Sequence, residues 1–196
     1  MTDKIHDILH HWFGDDGSAD LPSSDRTGLW FGESDHLKEK MATLFRPEYD
    51  LAIADQLPEW KKTPRGCLAL IILLDQFSRF MHQHSAEAFA HDEQARALCV
   101  EGLKKHMDRS LTLIERVFFY IPFVHAEDAK LQEEAIQLFQ QLVTLSLPET
   151  TPVYQLFLSY AYAHFRVIKE FGRFPQRNAV FGRTSTSAEA AFLKNV

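Results

Sequence analysis

Between His164 and Ser185 the chain reads HFRVIKEFGRFPQRNAVFGRTS, which gathers Arg166, Lys169, Arg173, Arg177 and Arg183 against the single acid Glu170, in a protein of formal net charge −6. A guanidinium is a planar fork of N–H donors that suits a carboxylate or a phosphate. Gly172, Pro175 and Gly182 punctuate this stretch. Gly172 can end a helix in the left-handed region, Pro175 holds Phe174 extended, and Gly182 can close a short turn. Arg173, Arg177 and Arg183 are thereby presented on a defined backbone, with Phe174 and Phe181 expected to tether it to the core. Two arrangements fit: a pocket wall in which Arg177 faces an anion, or internal ion pairs that close the fold.

Three other groups could share such a pocket. The run CLALIILL ends abruptly in Asp75, Gln76 and Arg79. A carboxylate at the end of a buried helix needs a partner to offset its desolvation. Arg79, four residues on, or an arginine from 173–183 could provide one. In FFYIPFVHAED, Asp128 is a good N-cap, Glu127 lies beside it, and His125 has no capping task. On a helix over 153–171, Gln155, Ser159, Tyr162, Arg166, Lys169 and Glu170 form one polar stripe at 100° steps, and His164 falls opposite it. His164 is then either a core histidine bonded to a carbonyl or carboxylate, or a group pointing into a polar pocket.

Two classes of function follow. One is a binding module for a small anion or an acidic peptide, with arginines as ligands and no turnover. The other is an enzyme acting on an anionic substrate, with His125 or His164 as acid/base, Asp75 or Glu127 orienting it, and Arg173 and Arg177 holding the substrate. A purely structural or oligomerising role is the third possibility, and no feature sets an oligomeric state.

Other chemistry has little support. There is no GxSxG elbow, P-loop or dinucleotide fingerprint. His6 and His10 share a helix face with Asp3 but lack a third ligand, and Glu33 with His36 has no second Glu-x-x-His copy, so neither a metal nor a cofactor is implied. Cys67 and Cys99 lie on separate apolar helix faces and read as buried free thiols. A pI near 5.9 argues against nucleic acid and anionic membranes, both of which recruit an excess of cations. No signal peptide or membrane-length apolar run is evident, so the cytoplasm is the default compartment.

The elements that must position these groups are helices. With 45% apolar and 12% aromatic residues over 196 positions, the chain suits one all-α domain spanning 1–196. A first helix covers DKIHDILHHWF, and a loop over 14–32 drops Trp30 and Phe31 onto the core. Ser34 caps the next helix, which Pro47 interrupts and Pro58 ends. Thr63-Pro64 opens a central helix from about Arg65 to Phe80. His91 or Asp92 starts one through Lys105, and Thr112 with Glu115 has capping-box spacing before a helix stopping near Pro122. Asp128 caps a helix to about Leu145. Thr151-Pro152 opens one to Phe171, expected to be central and nearly buried, and Thr186 with Glu189 opens a last short one. Eight or nine helices joined by short loops make an array of stacked helical hairpins. The 34-residue tetratricopeptide period is absent, so any such repeat is degenerate.

The motifs WF near the start, LLDQFSR, FFYIPFVHAED and HFRVIKEFGRFPQRNAVFGRTST resemble, over essentially the whole chain, the uncharacterised bacterial family DUF924. The resemblance implies a tetratricopeptide-like helical fold and no defined activity. It marks Trp12 and Phe13; Asp75, Gln76 and Arg79; Tyr120, Pro122, His125, Glu127 and Asp128; and His164. In the last motif it marks Gly172, Arg173, Phe174, Pro175, Arg177, Asn178, Gly182 and Arg183. Tyr120 and Asn178 join the ligand-binding candidates on this basis alone. Ser78, where many relatives have proline, and Gln176, often histidine, depart from the pattern.

Overall fold

The structure, a computed structural model, describes residues 3–14, 21, 26–31 and 35–195. Helix makes up 74% of it and strand none, which places the protein in the all-α class. Helix α1 (Lys4–Phe13) starts at Asp3, whose carboxylate accepts the backbone N–H groups of Ile5 and His6, and it buries Ile8, Leu9 and Trp12. A single turn, α2 (Thr27–Trp30), precedes α3 (Asp35–Leu44) and α4 (Arg46–Ile53). The helix is interrupted just ahead of Pro47, as expected: α3 ends at Leu44, Phe45 leaves the helical conformation, and Pro47 lies in the first turn of α4, where its missing N–H would be unpaired in any case. The expected cap Ser34 lies outside the described residues.

The centre of the molecule is one helical rod over 64–81. It begins as α5 (Pro64–Ile71), with the Thr63 hydroxyl accepting the Gly66 N–H, and ends as the turn α6 (Ser78–Met81). Between them, Ile72–Phe77 is wound as a π-helix with every side chain buried. The wider turn accommodates an extra residue and re-aims the side chains that follow, a device common at functional sites. The rod packs against α1, α4, α7 (Asp92–Lys104) and α8 (Leu113–Val124).

Outside it, α8, α9 (Ala129–Leu145) and α10 (Thr151–Phe171) pack in succession. Their connections are short, so each neighbouring pair is an antiparallel hairpin. The Thr112–Glu115 capping box opens α8 as its spacing predicts. Pro122 falls inside the helix without ending it. The final turn still closes through the His125 N–H to the Ile121 carbonyl, 3.0 Å, because only the single donor at 122 is lost. Asp128 caps α9, and the cap of α10 is Thr150, one residue earlier than expected, with Pro152 in the first turn.

The expectation that α10 is central and nearly enclosed does not hold. It is the outermost long helix, packed mainly on α9, and Leu156, Tyr160 and Tyr162 are 45%, 42% and 45% exposed. Gly172 ends it at φ +70°, a conformation that favours glycine. A 3₁₀ turn, Pro175–Arg177, leads to α11 (Ser187–Leu193), opened by the Thr186–Glu189 capping box. Phe174 is extended and buried, but Phe181 is not the tether expected of it. It is 42% exposed, resting on Phe89 at 5.6 Å between ring centres with the Arg183 guanidinium over its ring, and Gly182 turns the chain beside it at φ +62°. No helix among the described residues is long and apolar enough to cross a membrane.

Candidate functional site

The π-helical turn points Asp75 into the core, where its side chain is wholly enclosed. Gln76 Nε2 donates to Asp75 Oδ2 at 2.5 Å, and His125 Nδ1, at the C-terminal end of α8, lies 2.8 and 3.0 Å from the two carboxylate oxygens. Arg79 Nη1 stands 3.3 Å from Oδ1 and also donates to the Asp75 carbonyl. Burial alone would raise the Asp75 pKa, but Arg79, His125 and Gln76 together bring it down to about 2. Asp75 is therefore a carboxylate, and His125 Nδ1 carries the proton between them.

Arg79 continues the network to Asp92, the first residue of α7, with Nη2 donating to Oδ2 at 3.1 Å and Nη1 3.0 Å from Oδ1. Arg177 reaches the same carboxylate from the late loop, Nη1 to Oδ2 at 3.3 Å. Its guanidinium is held over the rings of Phe89 and Phe174, at 4.5 and 4.6 Å from their centres. Burial raises the Asp92 pKa against the pull of Arg79, and burial lowers that of Arg177. The Arg177 Nε and Nη2 groups have no protein acceptor among the described residues.

Two cavities meet at this network. One, about 690 Å³, is lined by Arg79, Arg166, Arg177 and Glu170, with Phe89 and Phe174 behind them. The other, about 460 Å³, is walled by Trp30, Phe31, Phe80, Phe118, Phe157 and Tyr160. Arg79, His125 and His164 line both. His164 Nδ1 donates to the Tyr160 carbonyl at 2.8 Å, and the two imidazoles are 6.1 Å apart. Burial pushes both histidines below their usual pKa, Asp75 opposing it at His125 and the Tyr160 carbonyl at His164. Each is neutral at pH 7, with Nδ1–H committed to the protein and Nε2 left as a base toward the cavities.

Of the residues singled out by the sequence, Asp75, Arg79, His125, His164 and Arg177 come together here. Gln76 and Arg166 stand beside them, and the remaining candidates lie elsewhere. Arg183 forks onto Glu127 at 2.7 and 2.9 Å, and the Phe174 N–H donates to the same carboxylate at 2.8 Å. Arg173 forks onto Glu189 at 2.6 and 2.8 Å and donates to the Thr184 carbonyl. Tyr120 donates its hydroxyl to Asp108 at 2.8 Å, and Asn178 is buried, with Nδ2 donating to Ser185 Oγ at 3.0 Å. None of these five side chains lines either cavity. Asp92 and Phe89 were missed. The sequence marks Asp92 only as a helix opener, and no local signal couples it to two arginines.

Fold and site together define an all-α protein with a buried Asp–His–Arg network at the junction of two cavities. The family model "Bacterial protein of unknown function (DUF924)" matches residues 8–196, and the chain belongs to that family. Among solved structures it is similar to the protein of unknown function ATU0120 from Agrobacterium tumefaciens, at 29% identity, 98% coverage of each chain and a TM-score of 0.81. No curated protein matches it.

Proposed function

We propose that the protein binds a small anionic ligand in the cavity walled by α10 and the loop after it. The observation that carries this reading is the lining of that cavity, where Arg79, Arg166 and Arg177 stand against Glu170 alone. Asp92 lies beneath Arg79 and Arg177, and Asp75 beside Arg79, so the charges of these two guanidiniums are balanced from below and what the cavity offers an anion is oriented N–H donors, with Arg166 exposed at its lining. Arg177 is immobilised between two rings with N–H groups to spare, so little rotamer entropy is lost when it captures a carboxylate or phosphate. A cavity of about 690 Å³ has the size of a small-molecule site, which favours a small anion over an acidic peptide.

Arg166 is exposed and makes no ion pair among the described residues, so its replacement tests the ligand site without breaking the core. In thermal melts at constant ionic strength, phosphate or citrate stabilises the parent by mass action. Arg166→Glu reduces that shift several-fold while its melting temperature without anion stays within a few degrees of the parent's. Equal anion shifts in both proteins would dismiss the site.

A second reading is favoured by one geometric fact: neutral His125 is held by Asp75 in the tautomer that leaves Nε2 as a base, beside the arginines. This is the orienting pair of general-base catalysis, and it supports proton abstraction from, or water activation toward, a bound anionic substrate. In a screen of phosphate and carboxylate esters, turnover abolished by His125→Gln but not by His164→Gln would support it. No turnover in the parent leaves binding alone.

A further inference from the structure

We infer that the ligand is an amphipathic anion, whose acidic head lies against Arg166 and Arg177 and whose hydrocarbon body enters the aromatic cavity on the other side of His125 and His164. This rests on the anion-binding reading of the same site and adds the chemical class of the ligand. An inorganic anion has no use for the second cavity, whose walls carry no charge apart from Arg79, one of the residues shared with the first. Its rings are already ordered: Phe31 stacks on Tyr160 at 5.1 Å and on Phe157 at 5.8 Å, and Trp30 meets Phe118 at 5.1 Å. The cavity of about 460 Å³ leaves this aromatic surface facing water, and an apolar group seated on it would remove that area from solvent.

The polar groups converge where the two cavities touch. Arg79, His125 and His164 line both cavities and are the side chains a ligand would cross between its apolar and charged ends, while Gln76 and Gln83 line the aromatic cavity alone. A few convergent polar groups in a mostly apolar site is the ordinary composition of a small-molecule pocket. The division of labour also explains why Tyr160, though on the outermost helix, keeps its ring on Phe31 while its carbonyl positions His164.

Binding of inorganic phosphate and of butyl, hexyl and octyl phosphate, measured by calorimetry below their aggregation concentrations, tests this. The expected result is about threefold to fourfold tighter binding per added methylene, the increment for transferring a methylene out of water. Ala161→Leu, which adds bulk inside the aromatic cavity, and Tyr160→Glu, which puts a carboxylate at its exposed edge, should each flatten the chain-length dependence and leave inorganic phosphate binding unchanged. Arg166→Glu should weaken all four ligands by a similar factor and preserve the increments. Phosphate binding with no chain-length dependence in the parent overturns the inference and leaves the anion site standing; increments that survive both cavity variants overturn it too. Absence of phosphate binding removes the anion site itself.

Discussion

At the scale of the residue, the ionisation of Asp75 decides how the protein responds to acid. An unfolded aspartate titrates near 3.9, whereas the folded one is held down at about 2 by Arg79, His125 and Gln76 in spite of its burial. Its contribution to stability is complete above about pH 5 and is lost as the pH falls from about 4 to about 2. The histidines act in a higher window. Both fold with lowered pKa, so as the pH drops below about 6.5 the unfolded chain takes up protons first and stability falls. Urea titrations between pH 2 and pH 8 should therefore show stability rising with pH in two steps. His164→Asn should flatten the upper step, because that variant has no imidazole facing His125, Arg79 and Arg177. Asp75→Asn removes the negative charge from an enclosed pair and should cost about 3–5 kcal/mol at pH 7. A loss below 1 kcal/mol would mean that Arg79 and Asp92 hold the network without it.

At the scale of the element, the central rod depends on one close approach. A Cβ on Gly66 would fall well inside van der Waals contact of the Trp60 carbonyl, 2.7 Å from Thr63 Oγ1 and 2.9 Å from Trp60 Cα. Two of these are backbone atoms of the 3₁₀ turn Trp60–Lys62, which cannot rotate away. Gly66→Ala should therefore destabilise the protein by about 1–3 kcal/mol by overpacking, although alanine is the better helix former. Thr112→Ala removes one side of the capping box at α8 and should cost about 1 kcal/mol in a chemical melt. Unchanged stability in either variant would show that its helix start is set by packing alone.

At the scale of the whole molecule, three carboxylates hold the chain after α10, two of them from earlier in the fold and one from α11 within the segment itself. Asp92 of α7 takes Arg177, Glu127 between α8 and α9 takes Arg183 and the Phe174 N–H, and Glu189 of α11 takes Arg173. Glu127 holds that segment at two points, the Arg183 guanidinium and the Phe174 N–H. Glu127→Gln should raise hydrogen exchange of amides in 173–185 by tenfold or more and leave α5 and α8 protected. Uniformly faster exchange would mean that the loop and the core unfold as one unit. Thiol chemistry reports on the opposite end of the stability range. Cys67 and Cys99 are free and buried, with burial pushing Cys67 up to about 11 and Cys99 also well above its usual value. Both should label slowly until the protein is denatured; rapid native labelling of Cys67 would show that the central rod opens locally.

The helices and their starts were legible in the sequence because capping is local. Thr63 with Pro64, Thr112 with Glu115, Asp128, and Thr186 with Glu189 each act within three residues of themselves, and each opens the helix expected of it. The types of residue at the site were legible too, since Asp75, His125 and His164 are polar groups set into apolar surroundings. What only tertiary structure decided is which charge meets which. Asp75 and His125 are 50 residues apart, Glu127 and Arg183 are 56, and Asp92 and Arg177 are 85. At such separations every arginine of 173–183 is an equal candidate for every carboxylate, until helix packing brings one pair within reach and carries the others away. The aromatic cavity was hidden for the same reason. Trp30, Phe80, Phe118 and Phe157 each read as ordinary core residues, and a hollow between them is a property of how four distant segments pack, which no one of those segments encodes.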